Sequence, residues 1–266
     1  MSVPSWPVLP LFELRRLLRE AGDEASRAHW LAALRADPRA GARALLQGLE
    51  RRIEKDQAEI ARMGALLARG GALRSAGARH VAGVDEVGVG PLAGPVVAAA
   101  VVLPDQVELP GLDDSKRLDA RTRERLAAAI RAQAIAVAVA EVGPAELDRL
   151  NVFHASLRAM QRAVEGLAVR PDHVLVDART IPSIGMPQTA IVHGDALDAS
   201  IAAASIVAKV YRDALMRELD GIHPGYGFAH NAGYPTPEHL EALRRLGPSP
   251  VHRRSFAPVA ACAVAR

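Results

Sequence analysis

VAGVDEVGVGPLAGPVVAAAV, Val81 to Val101, is an apolar run that ends on two adjacent carboxylates, Asp85 and Glu86. It then passes through Gly88, Gly90 and Gly94 and resumes as a second apolar run. Short apolar runs bounded by glycine and proline read as buried strands. Two strands are therefore expected, His80–Val87 and Pro95–Leu103, joined by a glycine-rich turn. The glycine spacing is G-x-G-x-x-x-G, and a strand follows where a dinucleotide-binding loop would open a helix, which argues against a Rossmann phosphate loop. The uncharged run Val87–Pro104 is long enough to raise the question of a membrane span. Gly88, Gly90, Pro91, Gly94, Pro95 and Pro104 interrupt it, and Asp85, Glu86 and Asp105 flank it, so it reads as turn plus strand.

Downstream the pattern alternates. Further strands are expected at Ala134–Val142, His173–Asp177 and Gln188–His193, with Ile135, Val137 and Val139 showing the period of two. Helices are expected at Ala120–Arg131, Ala145–Leu150, His154–Leu167, Asp198–Leu219 and Thr236–Leu246. Little helix separates the first two strands, whereas the later strands alternate with helices. This order predicts an α/β domain with a mixed sheet flanked by helices. Upstream, residues 11–69 are rich in Leu, Ala, Arg and Glu and read as helical, with breaks at Gly22 and Asp37-Pro38. Asp37 as N-cap with Pro38 at the first helical position marks a helix start. Leu45, Leu49 and Ile53 then share one face, Gly70-Gly71 ends the helix, and Ser75–Arg79 reads as a linker. The expected division is a helical module over 1–78 and an α/β domain over 79–266.

The 266 residues, half of them hydrophobic and 24% charged, suit a globular protein with one ordinary core and a smaller unit. A net charge of +3 is too small to mark a nucleic-acid partner by itself, but the charge is segregated. Residues 1–79 carry 14 basic and 9 acidic side chains, the remainder 19 and 21. A single cysteine, Cys262, excludes an intramolecular disulfide framework and multi-cysteine metal sites. It fits a cytoplasmic protein. Pro4, Pro7 and Pro10 stand where an export signal would need an apolar helix, so neither export nor membrane insertion is expected.

The candidate chemistry lies at strand ends. Asp85 and Glu86 close the first strand, and unpaired burial there would be costly. They need solvent, a cationic partner or a metal, and a solvated strand end is the ordinary reading of such a pair in isolation. The neighbouring glycines, with exposed amides, suit a phosphodiester held near a metal ion. Asp177 closes the fourth strand, and open α/β sheets gather ligands at such ends; it would equally begin a turn toward Pro182. Asp195 follows in His193-Gly194-Asp195, ahead of the helix with Ser205 and Lys209, where a capping role is also open. Four carboxylates near one point repel unless divalent cations sit among them, and that arrangement suits two-metal phosphodiester hydrolysis. No G-x-S-x-G elbow, H-E-x-x-H, Walker loop or cysteine cluster competes. Of nine aromatic Phe, Tyr and Trp residues, Tyr211, Tyr226, Phe228 and Tyr234 fall close together, as stacking platforms or as loop anchors. His252-Arg253-Arg254-Ser255-Phe256 is a basic cluster that either meets phosphates or forms a solvated tail.

Together these motifs resemble the type 2 ribonuclease H family, ribonuclease HII, from about His80 to Val259. VAGVDEVGVGPLAGPVVAAAV, LDDSKRL, NVFHASLRAMQRAV, HVLVDA, VHGDA, AASIVAKVYRD, YGFAHNAGYPT and HRRSFAPV carry the resemblance. It implies a ribonuclease H-like mixed five-stranded sheet flanked by helices, with a C-terminal helical extension and a small N-terminal all-helical module. It implies a metal-dependent endonuclease, using two Mg²⁺ or Mn²⁺ ions, that hydrolyses the RNA strand of RNA/DNA hybrids. Cutting 5′ of single ribonucleotides embedded in duplex DNA, leaving 3′-hydroxyl and 5′-phosphate ends, is implied as well. By position, Asp85, Glu86, Asp177 and Asp195 match the catalytic, metal-holding carboxylates. Gly88, Val89 and Gly90 match the loop that contacts the ribonucleotide 2′-hydroxyl, and Tyr234 the tyrosine at the RNA-to-DNA junction. Ser115, Lys116, Lys209 and Arg212 match positions of phosphate contact or site support. A cytoplasmic monomer is expected, with RNA/DNA hybrids and ribonucleotide-containing DNA as partners and no membrane.

Three positions depart from the family pattern. Val89 stands where a basic residue is usual, Ala232 and His193 where lysine is. Fewer cationic side chains should weaken phosphate binding and flatten its salt dependence. The alternative reading is a hybrid-binding protein with weakened catalysis. The basic N-terminal helices resemble an extension of some bacterial members, which either adds duplex contacts or packs on itself.

Overall fold

The computed structural model describes residues 10–20, 23–182 and 184–264. Three helices come first, α1 (Leu11–Glu20), α2 (Glu24–Ala36) and α3 (Ala40–Ser75). β1 (Val81–Val87) and β2 (Val96–Val102) follow, then α4 (Ala120–Gln133), β3 (Ala136–Val142), α5 (Pro144–Leu150) and α6 (Val152–Glu165). β4 (His173–Asp177), β5 (Gln188–Ile191), α7 (Gly194–Leu197) and α8 (Ala199–Ile222) complete the α/β part. The C-terminal helices are α9 (Phe228–Asn231), α10 (Pro237–Leu246) and α11 (Ala257–Val264). Among the described residues no helix is long and apolar enough to cross a membrane.

The five strands lie in the order β3-β2-β1-β4-β5. β1, β2 and β3 pair antiparallel, whereas β4 runs parallel to both β1 and β5. β2 is buried on both faces and its alternation sorts the core. Val97, Ala99 and Val101 pack with Leu126 and Ile130 of α4 and with Ala203 and Val207 of α8. Val96, Ala98 and Ala100 pack with Ala159, Met160 and Ala163 of α6 on the other face. Gly83 lets α8 approach β1, because a Cβ there would run into the backbone of Ser200 and Ile201. Asp198 caps α8 by accepting hydrogen bonds from the Ser200 and Ile201 amides, and Thr236 caps α10 by accepting from His239 N.

The chain divides by contacts into compact units Met1–Arg62 and Met63–Arg266, a break within α3. Gly70-Gly71 does not end α3, which continues to Ser75. Leu66, with Met63 and Leu67, belongs to the cluster of β2 and α8, and Leu73 packs on Val81, Leu175 and Ile201. That burial offsets the cost of two mid-helix glycines, about 1 kcal/mol each. In the first unit Leu14, Leu34 and Ala42 are buried among Trp30, Leu45 and Leu49. Ile53, expected on the same face, is 39% exposed. Asp37 is the C-cap of α2, and its carboxylate accepts from Arg39 N at 2.9 Å and Arg39 Nε at 3.0 Å. The expected helix start at Pro38 thus moves to Ala40. β5 stops at Ile191, short of the expected His193, because His193 takes a left-handed conformation (φ 58°) and Gly194 opens α7.

Candidate active site

Parallel pairing of β1 with β4 sets Val84 opposite Val176, so Asp85 and Asp177 are the next residues on adjacent strands. β5 pairs beside β4 and leads directly into α7, which carries Asp195. The site therefore sits where antiparallel pairing on one side of β1 gives way to parallel pairing on the other. Asp85 and Asp195 are buried, and Asp177 is half-buried. Asp85 accepts from the Glu86 amide at 2.8 Å and Asp177 from the Gly194 amide at 2.7 Å. Asp195 accepts from Lys116 Nζ at 3.0 Å.

These carboxylates crowd one another. Burial pushes the Asp85 carboxyl well above the usual range, the charges of Glu86 and Asp177 adding to it against a Ser205 hydroxyl contact. Burial also raises Glu86, opposed by the neighbouring Ser156 hydroxyl and then by the charge of Arg179, with Asp177 adding. Asp177 is raised by burial and by Asp195, against its backbone hydrogen bonds and the charge of Lys116. Glu86 Oε2 and Ser156 Oγ are buried without a hydrogen-bond partner. Among the described residues the side chains as they stand do not close into a ready metal cage of three or more ligands. The donor set nevertheless fits hard divalent cations: oxygen ligands only, mutually repelling, one of them orphaned.

Around the carboxylates, Ser115 Oγ lies 2.9 Å from Ser205 Oγ, both buried. Arg123 donates to the Ser115 carbonyl at 3.0 Å and supports the loop that presents Lys116. The Lys116 side chain is 78% exposed. Lys209 pairs with Asp213 at 2.6 Å, in a cleft of about 370 Å³ shared with Arg123, Arg217 and His230. Arg179 was not singled out from the sequence. Its guanidinium lies 5.1 Å from the Phe153 ring centre and its charge acts on Glu86. The only signal was its place two residues after Asp177, which spacing alone does not distinguish from a surface arginine.

The glycine loop rests on two buried arginines. Arg212 matched a position of phosphate contact or support, and the structure encloses it completely. It donates to the carbonyls of Pro95 (3.1 Å), Ala232 (3.0 Å) and Ala93 (3.2 Å). Arg253, read as part of an exposed basic cluster, is equally enclosed and donates to Gly94, Val89 and Gly88. Only Arg254 and Ser255 of that cluster are exposed, and Asp148 holds their amides. Gly88 has φ +84° and a Cβ there would strike Arg212, so this position requires glycine. Val89 is half-buried and Gly90 exposed. A Cβ built on Gly90 would lie 3.7 Å from Tyr234 Cε1, which puts the loop edge against the 41% exposed Tyr234 ring.

The other aromatics separate from Tyr234. Tyr226 and Phe228 are buried and stacked at 5.3 Å, and Tyr226 Oη donates to the Gly247 carbonyl at 2.7 Å. They are loop anchors. Tyr211 sits on α8 under the charges of Glu141 and Glu218.

A mixed sheet with helices on both faces and an acidic cluster at the ends of its parallel strands defines a ribonuclease H-like hydrolase. A family model described as Ribonuclease HII matches residues 82–259, and one described as Ribonuclease HII N-terminal domain matches residues 12–68. Ribonuclease HII of Myxococcus xanthus is 59% identical over 230 residues, covering 86% of this chain and 78% of that protein. Ribonuclease HII of Geobacillus thermodenitrificans is 50% identical over 247 residues, covering 93% and 94%. The crystal structure of ribonuclease H2 from Pyrococcus horikoshii matches with a TM-score of 0.61 at 26% identity, covering 70% of this chain and 98% of that one. The chain belongs to the ribonuclease HII family and is a ribonuclease H-type enzyme acting on RNA/DNA hybrids.

Proposed function

We propose that this enzyme cuts the RNA strand of hybrids and also incises 5′ of single ribonucleotides in duplex DNA. Asp85, Glu86, Asp177 and Asp195 would hold two divalent cations, Mg²⁺ or Mn²⁺. The observation that carries this reading is the register of β1 against β4, which aligns Asp85 with Asp177 beside an orphaned Glu86 oxygen. Bound divalent cations supply activation of water and stabilisation of the leaving 3′ oxygen. The protein's own groups orient the substrate. Backbone groups of Gly88, Val89 and Gly90 face the ribose, Tyr234 packs on the sugar at the junction, and Lys116 and Lys209 neutralise phosphates. Ser115 supports Ser205 and through it Asp85, and Arg212 supports the loop from below.

The reading of a hybrid binder with weakened catalysis draws on Val89. Against it, the loop carbonyls are held by Arg212 and Arg253 whatever side chain stands at that position. The deciding experiment offers a labelled duplex with one ribonucleotide in Mg²⁺, Mn²⁺ or chelator and maps the cut. Divalent-dependent cleavage 5′ of the ribonucleotide, leaving a 3′-hydroxyl, is expected. Binding without cutting would favour the alternative, and hydrolysis of a nucleotide monophosphate in place of the duplex would reject both.

A further inference from the structure

A chain of hydrogen bonds with one possible proton order runs beneath Tyr234. The Ser249 amide donates to His252 Nδ1 at 3.0 Å, so that nitrogen is the acceptor and the His252 proton sits on Nε2. His252 Nε2 lies 3.1 Å from His239 Nε2, which must then accept, leaving the His239 proton on Nδ1. His239 Nδ1 donates to the Tyr234 carbonyl at 2.8 Å. Both rings are sealed from solvent. The next residue, Arg253, grips the other recognition element, with Nε to Gly94 and the terminal nitrogens to Val89 and Gly88 at 2.9, 2.9 and 2.5 Å. Backbone bonds reinforce it: Arg253 N donates to Leu92 O and Gly94 N to Val251 O, at 2.8 and 2.9 Å. Adjacent residues of one turn thus hold the tyrosine segment and the glycine loop. The slot between Gly90 and Tyr234 is the place where a displacement of about 1 Å would cost up to roughly 10²-fold.

We propose that the turn Ser249–Arg253 fixes the register of the glycine loop against Tyr234 and thereby sets discrimination between ribose and deoxyribose. His252, acting through His239, and Arg253 are positioning residues. The inference rests on the proposed ribose-selecting role of that loop and of Tyr234.

The test compares His252→Asn, His252→Gln and Arg253→Lys with the wild type. Readouts are kcat/KM on a single-ribonucleotide duplex and on a continuous hybrid, affinity for an all-DNA duplex, and thermal melting. Asn is too short to reach His239, whereas the Gln amide stands where the ring Nε2 stood. Expected is a fall of about tenfold on the single-ribonucleotide duplex for His252→Asn and Arg253→Lys, and under threefold on the continuous hybrid. All-DNA affinity should be unchanged and His252→Gln should recover most of the loss. Equal losses on both substrates, tracking a fall in melting temperature, would make the turn merely structural and overturn the proposal. Should His252→Asn fail to fold, Arg253→Lys and the wild-type imidazole nitrogen spectrum decide: an Nε2–H tautomer at His239 breaks the chain. A wild type that does not incise at ribonucleotides overturns the ribose-selection reading together with this one. Incision with unaltered selectivity in the variants overturns this one alone.

Discussion

Asp85 and Arg253 are both buried ionisable groups beside the same glycine loop, and their surroundings treat charge in opposite ways. Arg253 and Arg212 make six hydrogen bonds to main-chain carbonyls, so each buried cation is satisfied by fixed dipoles. Among the described residues neither pairs with a carboxylate. Buried Asp85 and half-buried Glu86 and Asp177 lie beside each other, their charged forms are disfavoured, and one buried Glu86 oxygen has no hydrogen-bond partner. The arginine floor is electrostatically complete, whereas the acidic cluster is not, and that contrast supports the metal-holding role proposed for the cluster.

The largest expected effect follows from the acidic side. Asp85→Asn should lower cleavage by at least about 10³-fold and, without divalent cations at neutral pH, should raise the melting temperature. The sign follows from linkage: the folded carboxyl has a raised pKa, so the folded state holds its proton longer and stability falls as pH climbs from 3.8 toward the raised value. Asn removes that penalty. Mg²⁺ should raise the wild-type melting temperature and leave the variant's nearly unchanged. A metal-free Asp85→Asn protein that melts lower than wild type would break the contrast. On the arginine side the same kind of change should act the other way. Arg212→Met abandons the carbonyls of Ala93, Pro95 and Ala232 and should cost about 3 kcal/mol or more. In calorimetry that is a drop of roughly 6–12 °C, without a metal dependence.

The acidic half of this contrast was legible in the sequence and the basic half was not. Asp85, Glu86 and Asp177 end apolar runs whose strand character is plain from composition, so the ends of the strands locate them. That they meet depends on β4 pairing beside β1, a non-local choice that the order of elements leaves open. Arg253 sits among Arg254 and Ser255, and nothing local separates the enclosed arginine from its exposed neighbour. The difference arises from carbonyls of Gly88, Val89 and Gly94, more than a hundred residues away in sequence. The same holds for α3, where local glycine propensity pointed to an end at Gly70-Gly71 and the burial of Leu66 and Leu73 carries the helix onward.

His252 is held down to about 4, chiefly by burial and then by His239, with His223 adding. The unfolded chain takes up that proton below its ordinary 6.5 while the folded one does not until about 4, so stability is lost as pH falls across this window. Melting curves at pH 7 and 5 should therefore differ less in His252→Gln than in wild type. Val89→Arg adds an exposed cation to a loop whose shape the floor already fixes. It should lower KM on a single-ribonucleotide duplex several-fold and steepen the salt slope by about 0.9. An unchanged KM would mean that the loop binds through its backbone alone.

The smallest effect is expected from the first unit. Its mid-α3 stretch is exposed and looks basic, with Arg51, Arg52 and Lys55 in a short run. Across residues 50–62, however, four basic side chains are matched by four acidic ones, Glu50, Glu54, Asp56 and Glu59. Arg35 pairs with Glu50 at 3.1 Å and Arg62 with Glu59 at 2.7 Å, so the local field is largely cancelled. Exposed pairs of this kind contribute little energy, about 0–1 kcal/mol each, and are screened by salt. Replacing Arg51, Arg52 and Lys55 together by alanine should change hybrid affinity by less than about twofold at physiological salt. Fluorescence anisotropy across a salt series measures it. A loss of tenfold or more, with a shallower salt slope, would show that a balanced surface stretch steers nucleic acid as strongly as the residues around the carboxylates do.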